Sequence, residues 1–255
     1  MEDIVRRPAS RATRRSKRSR GSSTTSSSVP RRALSPSGIF LIDKPEGPSS
    51  FAVVAEVRRR TGARTGHAGT LDPFASGLLL VLSGAATKLA SCFVGLDKRY
   101  VTDVDLRVRT STGDREGDVV ESHEAASAGR LEKRLEGLRG EIELPVPAAS
   151  AVKIGGERAY RLHRRGVAVE MPMRRSRVDA LDVISYSDGV ARLDLRVSSG
   201  TYVRAIADAL GGHCATLRRT EVGPFRVEEA DPERIIAPAD ALARIGVRAE
   251  TDAAL

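Results

Sequence analysis

The chain has 255 residues, 40% of them hydrophobic, enough for one large core or for a main domain with a small satellite. Its net charge of +9 is unevenly spread: residues 1–35 hold ten Lys/Arg against two acidic residues, and the rest is close to neutral. The composition excludes a disulfide framework or zinc pattern (only Cys92 and Cys214), and a membrane span of roughly 20 apolar residues (the longest apolar run is Leu78 to Leu82).

Residues 1–37 are rich in Arg and Ser, with a Ser/Thr run from Ser22 to Ser28. Such a segment buries too little apolar surface to offset its ordering entropy, so a disordered basic tail is expected, either a solvated arm or one that touches RNA. It lacks the apolar stretch of a secretory signal, and a reducing cytoplasm is the expected location. Gly38 to Lys44 reads as a strand that stops at Pro45. Ser49 or Ser50 can cap a helix over 51–61, with Phe51, Val54, Ala55 and Arg58 at helical spacing and Gly62 ending it. A Gly-rich loop from Thr61 to Gly77 follows, then a buried strand at Leu78 to Leu82 and a helix over 86–94.

Residues 99–109 alternate, with Tyr100, Thr102, Val104, Leu106 and Val108 on one face. Leu131, Leu135 and Leu138 mark an amphipathic helix. Val190 to Val197 alternates again, and Val203, Ile206 and Leu210 predict another helix. Antiparallel-looking strands with interspersed helices imply an α+β fold rather than a doubly wound one.

The densest chemical signal is Gly66-His-Ala-Gly-Thr-Leu-Asp-Pro-Phe-Ala-Ser-Gly77. Its glycines permit close backbone approach, and Pro73 pushes Asp72 out of the helical region. Apolar Leu71, Phe74 and Leu78 to Leu80 surround the carboxylate, which is costly there unless a cation or donors meet it. Asp-Pro turns are common, so local chemistry alone leaves Asp72 either a turn cap or a functional acid. The loop is neither a P-loop nor a dinucleotide fingerprint. His123, His163 and His213 show no ligand spacing, and no metal is implied.

This run resembles the signature of the TruB family of pseudouridine synthases. Four further blocks resemble that family in the same order: Gly38 to Ser50 (GIFLIDKPEGPSS), Lys98-Arg99-Tyr100, Pro147 to Tyr160, and Ser199 to Arg204 followed by Leu217-Arg-Arg-Thr and Gly223-Pro-Phe225. The resemblance implies a pseudouridine-synthase fold over 38–228, a mixed, mainly antiparallel sheet flanked by helices. A thumb-like RNA-binding insertion is implied at 146–174, and a short extension at 229–255. It implies that Asp72 is the nucleophile, Tyr100 stacks on the target base, and Arg204 pairs with Asp72. His67, Lys44, Pro45, Gly66, Tyr202, Leu217, Lys153 and Tyr160 are the implied substrate-binding positions.

The implied reaction isomerises uridine to pseudouridine in tRNA, at position 55 of the TΨC loop, by flipping the base out. Nothing is oxidised, reduced or hydrolysed, so no cofactor is expected. The family's usual C-terminal RNA-binding domain has no counterpart in the residues after Glu228, and the segment from Arg204 to Leu217 is shorter than the family pattern. A stand-alone monomer acting on the tRNA stem-loop without a guide RNA is therefore expected. The alternative is a non-catalytic RNA-binding or tRNA-folding protein on the same scaffold.

Overall fold

The computed structural model describes residues 36–247. The expected basic tail thus lies, but for its last two residues, outside the described residues. The first strands are β1 (Gly38–Lys44), β2 (Thr65–His67), β3 (Ser76–Ser83), β4 (Lys98–Asp105), β5 (Val108–Thr110), β6 (Val119–Ser122) and β7 (Gly140–Pro145). They are followed by β8 (Lys153–Ile154), β9 (Glu157–Arg158), β10 (Met173–Ser187), β11 (Val190–Val197), β12 (His213–Val222), β13 (Phe225–Arg226) and β14 (Asp231–Ile236). Helices are α1 (Ser50–Thr61), α2 (Ala90–Val94), α3 (Ala128–Glu136), α4 (Ala159–Arg164), α5 (Val203–Ala209) and α6 (Pro238–Arg244).

One sheet runs in the order β14-β1-β3-β12-β4-β11-β10-β7, with β2 beside β3 and β13 beside β12. Every pairing in it is antiparallel except β3 with β12, which match in parallel at Ser76 with Arg218 and Gly77 with Arg219. The α+β class and the mixed, mainly antiparallel sheet expected from the sequence are both present. β1 and β3 read as unbroken apolar runs because both of their faces are covered. Phe40, Ile42, Leu79 and Val81 pack under Val54 and Val57 of α1. Ile39, Leu41, Leu78, Leu80 and Leu82 pack with Phe93 of α2 and Leu242 of α6. A separate cluster joins α3 and α5 to β4, β10, β11 and β12 through Leu131, Leu135, Leu181, Leu193, Ile206 and Leu217.

Ser49 caps α1, accepting from Ala52 N at 3.2 Å, and Gly62 ends it in the left-handed region at φ 64°. The buried stripe of α1 is Ser50, Val54 and Val57, one position round from the expected face, and Phe51 is 70% exposed. The expected loop from Thr61 to Gly77 contains β2. The expected helix over 86–94 is a 3-10 turn at Gly84–Leu89 followed by α2, and the strand expected over 99–109 breaks after Asp105. The sheet also continues beyond residue 228, where β14 pairs with β1 as an edge strand.

The outer edge of β3 is shared. Its first residues pair with β12 and its last three, Val81 to Ser83, pair with β2. Where the two partners part, the carbonyl of Leu78 accepts from Arg219 Nε at 2.7 Å. The segment 68–75, which carries Asp72, connects β2 back to β3 across this gap. Gly77 makes the close approach possible: its φ is +104°, and a Cβ there would lie 2.2 Å from Arg219 O.

Candidate active site

The backbone on both sides of Asp72 is held by side chains of the β1–α1 connection. Ser50 Oγ donates to Leu71 O at 2.9 Å and accepts from Leu71 N at 2.8 Å, fixing both polar groups of the preceding residue. Lys44, fully buried at the end of β1, donates to Pro45 O (2.8 Å), Pro48 O (2.9 Å) and Pro73 O (3.2 Å). Burial lowers the Lys44 pKa, a shift opposed by the charge of Asp72. Gly47 N also donates to Pro73 O, at 2.8 Å.

The carboxylate meets a cation. Arg204 Nε donates to Asp72 Oδ2 at 2.9 Å, with the Arg204 side chain 3% exposed and that of Asp72 35%. The rest of the guanidinium is spent on other segments: Nη1 on Thr112 O (2.7 Å) and Asp114 Oδ2 (3.3 Å), and Nη2 on Ala149 O (3.1 Å). Asp114 is itself buried, and its Oδ1 accepts from the Thr112 hydroxyl at 2.7 Å and from Glu116 N at 3.0 Å. One guanidinium therefore joins α5, the Asp72 loop, the β5–β6 turn and the segment after β7. Its planar fork of five donors suits this task, and a flexible ammonium would not replace it.

Asp72 lines a cavity of about 870 Å³. Tyr100 and Lys98 enter it from β4, Leu217 and Arg219 from β12, Tyr202 and Arg204 from the start of α5, and Tyr160 from α4. The segment 146–172 connects β7 to β10, which pair antiparallel, so it is an insertion closing over one side of the cavity. Within it β8 and β9 form a hairpin, and the guanidinium carbons of Arg161 and Arg164 are 5.9 and 5.8 Å from the Tyr160 ring centroid. Those distances are cation–π contacts.

Of the residues singled out in the sequence, Asp72, Tyr100, Arg204, Tyr202, Leu217 and Tyr160 come together on the cavity wall. Lys44, Pro45, Gly66, His67 and Lys153 do not line it. Lys44 and Pro45 lie beneath the Asp72 loop as donor and acceptor of one hydrogen bond. Gly66 and His67 are part of β2, paired with Leu82 and Val81. His67 Nδ1 is buried without a hydrogen-bond partner, and burial, then the charge of Arg219, lowers its pKa. Lys153 is exposed on the β8–β9 hairpin. Asp114, Lys98 and Arg219 were not singled out. Lys98 and Arg219 sit inside the quoted motif blocks, whereas Asp114 lies in an ordinary-looking acidic turn that only the fold brings to Arg204.

The carboxylate–guanidinium pair in a roomy, tyrosine-lined cavity on a mixed sheet is accompanied by a direct match. Residues 58–203 fit the family described as TruB family pseudouridylate synthase (N terminal domain). The chain belongs to the TruB family. A tRNA pseudouridine synthase B from Mycobacterium sp. is 44% identical over 208 residues, which are 76% of this chain and 70% of that protein. One from Leifsonia xyli is 42% identical over 222 residues, 81% of this chain and 74% of the relative. Among solved structures, a chain of a Cbf5-Nop10-Gar1 complex superposes with a TM-score of 0.57 at 28% identity, covering 74% of this TruB-family chain. This chain spans half the length of that structural relative.

Proposed function

We propose that the chain converts uridine to pseudouridine in tRNA, acting on position 55 of the TΨC loop. The observation that carries this reading is the Asp72 carboxylate, fixed at 2.9 Å on a buried Arg204 and lining the cavity that Tyr100 also enters. The cavity takes a flipped-out nucleotide, whose unstacking costs a few kcal/mol. Asp72 attacks the ribose, the glycosidic bond breaks, and the uracil turns and rejoins through carbon 5. Tyr100 stacks on the ring and assists removal of the proton from carbon 5. The apolar wall of Leu71, Val203 and Leu217 keeps water from the detached base. The relatives named tRNA pseudouridine synthase B support tRNA as the substrate, and the basic insertion supports the stem-loop as the part that is gripped.

The test is incubation of the full chain with an unmodified tRNA transcript and no cofactor, followed by mapping of pseudouridine. The expected result is one modified position, in the TΨC loop. Tight binding without any product would instead support a non-catalytic RNA-binding protein, and product at another position would overturn the site assignment alone.

A further inference from the structure

We propose that Lys98 and Arg219 form a second functional element of this cavity, a pair of buried cations that stabilises the negative charge of the uracil ring while it is detached from the ribose. The proposal rests on the pseudouridine reading above.

The two cations are placed by the sheet. Lys98 and Tyr100 alternate with Arg99 along β4 and share its buried face, and Arg219 on β12 is the register partner of Tyr100. Directly opposed residues in a sheet point to the same side, so the three side chains stand together under the Asp72 loop. A Cβ at Gly69 would lie 3.6 Å from Arg219 Nη1 and 3.8 Å from Lys98 Cε, so the cations lie directly beneath this glycine. Lys98 is 5% exposed and Arg219 1%, and both still line the cavity.

What they lack is a counter-charge. Lys98 Nζ donates to Val94 O at 2.6 Å, to Leu96 O and to Ser199 Oγ at 3.2 Å. Arg219 donates to Leu78 O at 2.7 Å, Gly69 O at 3.1 Å and Thr70 O at 3.5 Å. Among the described residues no carboxylate lies within salt-bridge distance of either, whereas Arg204 in the same wall has two. Two cations withdrawn from water with only carbonyl and hydroxyl partners are a cost to the free protein, and an anion arriving in the cavity would offset it.

The reaction supplies such an anion for a limited time. When the bond from ribose C1′ to uracil N1 breaks, its electron pair stays on the base, which becomes a monoanion. The ring turns, C5 forms the new bond to C1′, and the proton leaving C5 is matched by one gained at N1. Substrate and product therefore have the same composition, and no oxidant or reductant enters. The charge exists only between the two bonds, so the cation pair acts on the rate and not on the binding of tRNA.

Burial, with the charge of Arg219 added, lowers the Lys98 pKa to about 8, and the neighbouring Asp97 opposes the shift. Across the cavity the facing charged and titratable groups are Asp72, Arg204 and Asp114, which are paired with one another, together with Glu116, His163, Arg164 and Arg174. Lys98 is therefore charged below pH of about 8 and neutral above it, and the stabilisation is lost as pH rises through that value.

The experiment compares full-length wild type with Lys98→Met in single-turnover pseudouridine formation on tRNA, from pH 6.5 to 9.5, alongside tRNA affinity. At neutral pH the variant should be about ten- to hundred-fold slower, with tRNA affinity unchanged. The ratio of the two rates should fall progressively as pH rises past about 8 toward 9.5, because a growing share of wild-type Lys98 is then neutral too. A purely structural role would leave the ratio of rates constant with pH, and that result overturns the proposal. A variant with full rate, or with loss confined to affinity, also overturns it, the latter by making Lys98 a phosphate contact. Wild type without product overturns the functional reading, and the cation pair with it.

Discussion

Arg204 and Arg219 are two guanidinium groups buried in one cavity wall, and they are satisfied in opposite ways. Arg204 meets two carboxylates and two carbonyls drawn from separate segments, while Arg219 meets carbonyls only, at Leu78, Gly69 and Thr70. The difference separates two tasks. A cation that faces acids sets where charge sits in the site, and removing it strands those acids. A cation that faces carbonyls holds the course of the backbone while its charge stays uncompensated, and Arg219 does so by closing the gap in the β3 edge and holding the start of the Asp72 loop. Lys44, on the other side of that loop, belongs to the second kind.

The comparison breaks most sharply at Arg204. Arg204→Ala leaves Asp72 and the buried Asp114 without their cation, a loss of the kind that costs about 3–5 kcal/mol in buried pairs. The single-turnover rate should fall by roughly a hundred-fold or more, the scale of losing a preorganised charge contact, while tRNA affinity changes little. A variant weakened only in affinity would make Arg204 a phosphate contact.

On the carbonyl side the largest effect belongs to Gly77, whose added Cβ would strike the backbone of Arg219. Gly77→Ala should lower stability by roughly 2–4 kcal/mol through the left-handed backbone and the forced separation of β3 from β12. Denaturant unfolding with an unchanged midpoint would show that β12 does not need this approach. Lys44→Met should cost less, about 1–3 kcal/mol, because it strands the carbonyls of Pro45 and Pro48 while Pro73 O keeps Gly47 N. Its thermal midpoint should drop more than its rate at low temperature. A rate loss with intact stability would move Lys44 into the chemistry.

The smallest effect concerns the 146–174 insertion, which carries Lys153, Arg158, Arg164 and Arg165 and an exposed Gly155–Gly156 turn. Protease should cut there in the free protein, and tRNA should protect it. Equal cleavage with and without tRNA would remove the insertion from the RNA contact.

Much of this was legible in the sequence, for identifiable reasons. β1, α1, β3 and β11 follow from apolar pattern and caps, because β1 and β3 are buried on both faces and α1 and β11 each bury one regular face. β10 and β12 escaped because their register shifts, at Val178/Ala180, Val183/Ser185, Cys214/Thr216 and Arg219/Glu221, break the period of two that pattern reading needs. β14 escaped because it is mostly exposed and rich in charge as an edge strand. In the site, Asp72, Tyr100 and Arg204 were carried by the family-like blocks, and the fold brings the three to one wall. Asp114 was not legible, since a turn acid is ordinary until tertiary packing places a buried guanidinium on it. Phe51 shows the reverse error: helical spacing counted it with the core, and a rotation of one position sends it to solvent.

Asp72 is the group proposed to attack the ribose. The most direct measurement is single-turnover pseudouridine formation by Asp72→Asn beside wild type, with tRNA affinity taken on the same preparations. Asn keeps the size and removes the nucleophilic carboxylate, so the account predicts no detectable product with tRNA still bound. Appreciable product from Asp72→Asn would contradict it.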